Sequence, residues 1–117
     1  MQYWYLTDMG CVRSANQDMC AMEQLDKNTL LCVVCDGMGG AKSGNVASTL
    51  ACDMFTQEMK DAWNGDLERE KFRSALYNAV KTANFTVYDQ AQQFQEFSGM
   101  GTTLVAAIVQ PKKCVIV

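Results

Sequence analysis

Asp36 is the residue of this chain best placed to do chemistry, because it separates an apolar run from a glycine-rich turn. The run at residues 30–35 predicts a strand with both faces covered, and glycines follow at positions 37, 39 and 40. A carboxylate at the end of a buried strand needs a cation, several hydrogen-bond donors or a proton, since an unpaired buried charge is costly. The glycines allow backbone groups to approach whatever Asp36 binds.

Metal binding is the chemistry that these residues favour. Asp36 and Gly37 offer a carboxylate and an accessible carbonyl, which are hard oxygen ligands suited to Mg²⁺ or Mn²⁺. Two ions roughly 4 Å apart could share Asp36 and hold a hydroxide between them as nucleophile. Upstream, Arg13 carries the planar guanidinium that binds phosphate, and Asp18 could orient or deprotonate a metal-bound water. The alternative for Arg13 and Asp18 is a surface salt bridge in a loop.

Other chemistries fail on the residue types present. The P-loop pattern, with Lys42 as its lysine, requires glycine at positions 36 and 41, which hold Asp36 and Ala41. A dinucleotide fingerprint from Gly37 needs glycine at position 42 and meets lysine. The chain has no histidine, which excludes Ser/His/Asp and Cys/His catalysis and His-ligated metals within it.

Six cysteines are present, and two of them, Cys32 and Cys35, form a C-x-x-C. On a strand, positions i and i+3 point to opposite faces, so these two thiols cannot share a metal. There is no second C-x-x-C. Buried reduced thiols are therefore a better interpretation than structural zinc.

Composition limits the class of protein. With 117 residues, 49% of them hydrophobic and 20% charged, the chain is at most one globular domain. A net charge of −3 and scattered basic residues argue against nucleic acid as the main partner. No apolar run approaches the length of a membrane span and no signal peptide is recognisable, so we expect a cytoplasmic protein with no membrane partner.

The pattern of apolar residues predicts the strands that carry these groups. An aromatic-rich stretch at residues 3–7 predicts a first strand, and residues 19–22 a weaker one. A turn at residues 25–28 makes the strand at 29–35 the second arm of a hairpin. Further strands are predicted at residues 104–109 and 114–117.

Two helices are predicted between the strands. Ser43 is a good N-cap for a helix of about four turns that ends near Gly65. Asp66 can cap a longer second helix, with Glu68 and Glu70 near its positive N-terminal end. We interpret both apolar helix faces as covering a sheet and binding nothing.

The order β-β-β-α-α-β-β predicts an α+β fold with helices packed on an antiparallel sheet. The chain stops within the apolar run at residues 114–117, which we interpret as truncation. The strand edge at that point makes self-association of the fragment through strands an expectation.

Three segments carry a family resemblance: TDMGCVRSANQD, CDGMGGAKSGNVAS and SGMGTTLVAAIV. In this order and spacing they resemble the first half of a bacterial protein phosphatase 2C, from the metal-dependent (PPM) Ser/Thr phosphatase family. The resemblance implies that residues 1–117 are the N-terminal portion of a single phosphatase 2C-like catalytic domain. It also implies a truncated four-layer α-β-β-α sandwich, in which antiparallel sheets are flanked by helix pairs.

The resemblance further implies a role for each candidate residue. Asp36 would bridge two ions, Mn²⁺ or Mg²⁺, and Gly37 would add a carbonyl ligand. Arg13 would bind the phosphate, and Asp18 would hold a metal-bound water. The implied reaction is one-step hydrolysis of phosphoserine or phosphothreonine in partner proteins, which a cognate Ser/Thr kinase would phosphorylate.

The chain departs from the family pattern in places. Gln17 stands where many members have glutamate, and Met38 replaces a histidine of some eukaryotic relatives. The Gly-Asp-Ser-Arg motif and two later aspartates of the family do not occur within these residues. We therefore expect little or no activity from the fragment alone. The alternative is a non-catalytic phosphatase-like module that binds a phosphoprotein through Arg13 without metals.

Overall fold

The computed structural model describes residues 1–40, 43–65 and 69–117. The strands within this part of the chain are β1 (Asp18–Asp26), β2 (Thr29–Met38), β3 (Gly101–Thr102), β4 (Val105–Gln110) and β5 (Lys113–Ile116). The helices are α1 (Ser43–Ala62) and α2 (Arg69–Gln93), and a 3₁₀ turn, Gln95–Phe97, follows α2.

The strands form one antiparallel sheet in the order β1-β2-β4-β5, and the short β3 pairs with the end of β2. β1 and β2 form the predicted hairpin, which turns at residues 27 and 28. At this turn Asn28 donates its backbone N–H to Asp26 Oδ1 at 2.8 Å. The predicted α+β fold, with two helices and an antiparallel sheet, is confirmed, and β4 and β5 begin and end within one residue of the predicted bounds.

β2 buries one of its faces along most of its length and the other only at its start, where Leu30 is 5% exposed. Leu31, Val33 and Cys35 are at most 1% exposed, whereas Val34 is 54% and Met38 61% exposed. The prediction that both faces of this strand are covered is therefore wrong for the described part of the chain. A continuous apolar run shows that a strand can be covered on both sides, but it does not say which residues do so.

The buried face of the sheet packs on α1, and α2 packs on α1 in turn. Phe55 and Met59 of α1 are fully buried because they lie between these layers. The core on this side, called the helix side below, is formed by Leu31, Val33, Cys35, Ala47, Ala51, Cys52, Phe55, Met59, Ala79, Ala83, Val87, Met100, Ala106 and Ile108. The opposite side of the sheet is called the open face.

Residues 3–7, predicted to be the first strand, form no strand in the structure. Trp4 is 79% and Leu6 90% exposed. Aromatic β-propensity produces a strand only where a neighbour supplies the ladder hydrogen bonds, and this segment pairs with none of the described strands. The observed order is therefore β-β-α-α-β-β-β.

The first residues of the two helices can be compared with the predicted helix starts. α1 begins at Ser43 as predicted. The Ser43 hydroxyl donates to the Gly40 carbonyl at 3.2 Å, and the Ser43 N–H donates to the same oxygen at 2.9 Å. Ser43 is the donor in both bonds, whereas the side chain of an N-cap residue accepts. Asp66 and Glu68, the predicted first residues of the second helix, lie outside the described residues. Glu70 lies in the first turn of α2.

The end of α1 is tied to the β1–β2 turn. Trp63 Nε1–H donates to Asp26 Oδ2 at 2.8 Å. The hydrogen bond from the Asn28 backbone and this bond from Trp63 lower the pKa of Asp26. Among the described residues, neither helix has an apolar stretch of the length that a bilayer crossing requires.

Candidate metal centre

Asp18 and Asp36 are directly opposite each other in the β1–β2 ladder. Such residues project from the same face of an antiparallel pair, with Cβ atoms about 4.5–5.5 Å apart. Both residues are exposed. The hairpin therefore brings the two predicted carboxylates together, but on the open face and not in a buried site.

The backbone of Asp36 is held by a residue distant in sequence. The Asp36 N–H donates to Thr103 Oγ1 at 3.0 Å, and the Thr103 N–H donates to the Asp36 carbonyl at 2.9 Å. These two bonds fix the backbone that carries the Asp36 carboxylate. Thr103 was not among the residues predicted from the sequence, although it lies in the third of the segments that resemble the phosphatase family.

Asp18 enters β1 through a turn built by Asn16. The Asn16 side-chain carbonyl accepts the Asp18 N–H at 3.0 Å, and its amide donates to Thr7 Oγ1 at 2.7 Å. The side chain of Asn16 thus connects the start of β1 to the N-terminal segment. The backbone on both sides of the carboxylate pair is therefore fixed by side-chain hydrogen bonds.

Gly37 is buried, and its N–H donates to the Gln17 carbonyl at 3.1 Å. A Cβ at this position would overlap the carbonyl oxygen of Gly44 and lie 2.6 Å from the Gln17 carbonyl oxygen. No side chain fits here without movement of backbone, so the structure requires glycine next to Asp36.

Arg13 makes no direct contact with the two carboxylates in the described structure. It lies exposed in the loop before β1, and no hydrogen bond or ion pair joins it to Asp18 or Asp36 in the described structure. The ion pair that the described residues do contain is Lys60 with Glu23, at 2.8 Å. The surface salt bridge considered for Arg13 and Asp18 is therefore not observed either.

The oxygen ligands at this site are of the type that a hard divalent cation prefers, but there are too few of them among the described residues. Two carboxylates and a neighbouring backbone carbonyl are the oxygen ligands that Mg²⁺ and Mn²⁺ prefer. Across residues 1–40, 43–65 and 69–117, however, no group of three or more His, Cys, Asp or Glu side chains could hold a metal. Further ligands would have to be water or residues outside those described.

The C-x-x-C thiols lie as the strand period predicts. Cys35 is fully buried on the helix side, whereas Cys32 is half-buried on the open face. All six cysteines are free. A hydrogen bond with Cys52, together with burial, raises the pKa of the Cys35 thiol, so this thiol next to Asp36 stays protonated.

The fold and site define an α+β domain with a carboxylate pair on the β1–β2 hairpin, at the end away from its turn. The sequence matches the family model for protein phosphatase 2C over residues 12–117, and the chain belongs to this family. The resemblance of the three segments is thereby confirmed.

Several relatives are named Ser/Thr phosphatases. The chain is 33% identical over 115 residues to the serine/threonine phosphatase stp of Listeria monocytogenes, a match that covers 96% of this chain and 44% of that protein. It is 32% identical over 108 residues to the serine/threonine protein phosphatase PstP of Mycobacterium tuberculosis, covering 92% of this chain and 19% of that protein.

Solved structures share the fold. The serine/threonine phosphatase Stp1 from Staphylococcus aureus superposes with a TM-score of 0.81 at 38% identity, over 95% of this chain and 43% of that one. The catalytic domain of PstP in complex with two manganese ions gives 0.73 at 30% identity, over 93% of this chain and 43% of that one. The chain thus spans less than half the length of these relatives.

Proposed function

We propose that residues 1–117 are the N-terminal portion of the catalytic domain of a metal-dependent Ser/Thr protein phosphatase. The observation that carries this proposal is the register pairing of Asp18 with Asp36 beside the buried Gly37, in a chain of the protein phosphatase 2C family. The relatives named Ser/Thr phosphatases support the reaction class.

The open face supports the view that this is part of a larger domain. Val34 and Val105 are each 54% exposed and Ile116 is 73% exposed, and Val34 and Val105 are paired across β2 and β4. An apolar sheet face of this kind is suited to packing against a second sheet. A second sheet would complete the four-layer sandwich and cover the side on which Asp18 and Asp36 lie.

In this proposal the carboxylate of Asp36 and the carbonyl of Gly37 would hold Mn²⁺ or Mg²⁺, and Asp18 would orient a water. When bound, the ions supply Lewis-acid polarisation of a phosphoryl oxygen and an activated water. The structure with two manganese ions in PstP supports manganese as one suitable ion. Thr103 keeps Asp36 in place through the two hydrogen bonds to its backbone.

Arg13 binds the phosphate of phosphoserine or phosphothreonine in the partner protein. Its guanidinium is exposed and engaged in no ion pair among the described residues, which leaves its donors available. Cys35, the thiol next to Asp36, faces the helices and stays protonated, so it is not a nucleophile. Direct attack by water, without a covalent enzyme intermediate, is the mechanism that these residues support.

The incomplete ligand set of the described residues has two consequences. We expect the 117-residue chain alone to have little or no phosphatase activity, because its described residues place only a pair of carboxylates at the site. The same observation favours a second candidate function, a non-catalytic module that binds a phosphoprotein through Arg13.

Hydrolysis of p-nitrophenyl phosphate, with and without Mn²⁺, tests the proposal. In the full-length gene product we expect Mn²⁺-dependent activity that Asp36→Asn lowers by roughly 100-fold or more, because an ionised ligand is lost. Asp53→Asn, an exposed carboxylate on α1, is the matched control and leaves the rate unchanged. Equal activity of Asp36→Asn and wild type would contradict the enzyme proposal, and Mn²⁺-dependent activity of residues 1–117 alone would contradict the expected inactivity of the fragment.

A further inference from the structure

Gln17 contacts both the strand that carries the candidate metal ligands and the helix that follows it. Its backbone carbonyl accepts the N–H of Gly37 on β2 at 3.1 Å. Its side-chain amide lies against Gly44 in the first turn of α1: a Cβ on Gly44 would be 2.7 Å from Gln17 Cδ and 2.9 Å from both Nε2 and Oε1. One residue of the loop before β1 thus touches two separate elements.

Those two elements also touch each other. A Cβ on Gly37 would overlap the carbonyl oxygen of Gly44, and both glycines are buried. Glycine is a poor helix former, so close packing explains its place in the first turn of α1. Gln17, Gly37 and Gly44 therefore form a three-way contact that has no room for an added methyl group.

We propose that Gln17 is a positioning residue for the Gly37 carbonyl. The Gln17 carbonyl accepts a hydrogen bond from the N–H of the Asp36–Gly37 peptide. The Gln17 side-chain amide sets how closely the start of α1 approaches Gly37. Octahedral cations such as Mg²⁺ tolerate little error in ligand position, so a shift of this contact changes metal affinity. This inference rests on the proposed function, in which the Gly37 carbonyl is a metal ligand.

The contact predicts an unusual coupling between two substitutions. Gly44→Ala alone pushes a methyl group into the Gln17 amide, whereas Gln17→Ala removes that amide and makes room for the methyl group. Gly44→Ala should therefore be harmful in the wild-type background and nearly neutral in the Gln17→Ala background. Gln17→Glu keeps the shape of the side chain and should behave like wild type.

Two measurements test the proposal. In metal-free residues 1–117, NMR hydrogen exchange of the Gly37 N–H should become faster in Gln17→Ala and Gly44→Ala. In the full-length gene product, calorimetric titration with Mn²⁺ should give a Kd raised by about 10–100-fold in each single variant, the range seen when residues that orient metal ligands are changed. Gly40→Ala is the matched control, because a Cβ there has nothing within 4 Å.

The possible results distinguish failure of the proposed function from failure of the positioning role of Gln17. If Asp36→Ala leaves Mn²⁺ affinity unchanged, the proposed function fails. If Asp36→Ala abolishes binding while Gln17→Ala and Gly44→Ala change neither the Kd nor the exchange of Gly37, only the positioning role fails. Strict additivity of the two alanine substitutions also overturns it. Should Gly44→Ala not fold, Gln17→Ala and Gln17→Glu still decide the question through the exchange rate of Gly37.

Discussion

Asp18 lies directly across the β1–β2 ladder from Asp36, so the register of one hairpin determines whether the two carboxylates share a face. A slip by one residue would turn one strand's side chains over and separate the pair. The register irregularity between Gln24 and Asp26 and the turn at residues 27 and 28 set this alignment. The placement of these two carboxylates on one face therefore depends on the turn at the opposite end of the hairpin.

Like charges placed opposite each other destabilise a strand pair, so the carboxylate pair should carry a cost in the absence of metal. We expect Asp18→Asn to stabilise metal-free residues 1–117 by about 0.2–1 kcal/mol. Urea denaturation followed by circular dichroism measures the change. Asp53→Asn on α1 has no cross-strand partner and is the control. A loss of stability in Asp18→Asn would contradict repulsion between the two carboxylates.

Thr103 is expected to stabilise the backbone at Asp36 through its hydroxyl. Thr103→Val removes the acceptor for the Asp36 N–H while keeping the side-chain volume, and should lower the free energy of unfolding by about 0.5–1.5 kcal/mol. Thr103→Ser keeps the acceptor and should recover most of that loss. Equal stability of the valine and serine variants in urea denaturation would show that the hydroxyl contributes nothing.

Asp26 should make stability depend on acid pH. Hydrogen bonds from Asn28 and Trp63 lower its pKa in the folded state below the ordinary value of 3.8. Its contribution is therefore fully present above pH 3.8 and is lost as the pH falls through the lowered folded-state pKa. Asp26→Asn should flatten this part of the stability profile.

Thermal melting followed by circular dichroism across this acid range measures the Asp26 effect. Trp63→Phe is the companion variant, since it removes one donor and leaves the Asn28 bond in place. It should raise the pKa of Asp26 part of the way toward 3.8. Parallel pH profiles for wild type and Asp26→Asn would contradict the prediction.

The cysteines should differ sharply in reactivity. Cys11 and Cys114 are exposed, whereas Cys35 and Cys52 are fully buried. We expect an aromatic disulfide reagent to label the exposed pair rapidly in the native state and the buried pair only after unfolding, because the reagent cannot reach the buried sulfur atoms of the folded chain. Mass spectrometry of the labelled peptides identifies the sites. Rapid native labelling of Cys35 would show that the core beside Asp36 opens readily.

Self-association through the β5 edge stays a prediction. We expect analytical ultracentrifugation of residues 1–117 to show concentration-dependent oligomers, and Ile116→Lys to weaken them by placing charge on an exposed edge strand. Phe85→Lys changes a comparably exposed apolar residue on α2 and is the control for solubility in general. A monomer at all concentrations would contradict this prediction.

Local features of the sequence predicted most of the fold. The hairpin turn and the start of α1 at Ser43 depend on neighbouring residues, and each is found in the structure. The strand predicted at residues 29–35 is also found, but β2 continues past Asp36 and Gly37 to Met38. The strand expected at residues 3–7 failed because it needs a pairing partner that periodicity cannot reveal. The same limit explains why Val34 is exposed despite standing in an apolar run.

The residue types of the candidate site could be predicted from the sequence, but the hydrogen bonds and contacts that hold those residues in place could not. Asp36 and Asp18 could be proposed from sequence, and the hairpin register places them together. Thr103 lies 67 positions from Asp36, and the contact between Gln17 and Gly44 joins a loop to a helix. Such contacts arise from tertiary packing, which leaves no periodic trace in a single sequence.

The two sides of the sheet imply an order of assembly during synthesis. The core on the helix side is formed by residues of the strands and of both helices, among them Phe55 of α1 and Val33 of β2. We expect this core to form before the open face is covered, because none of its residues lies on the open face. Any later part of the domain would then pack on an open face in which Asp18 and Asp36 are already paired in register.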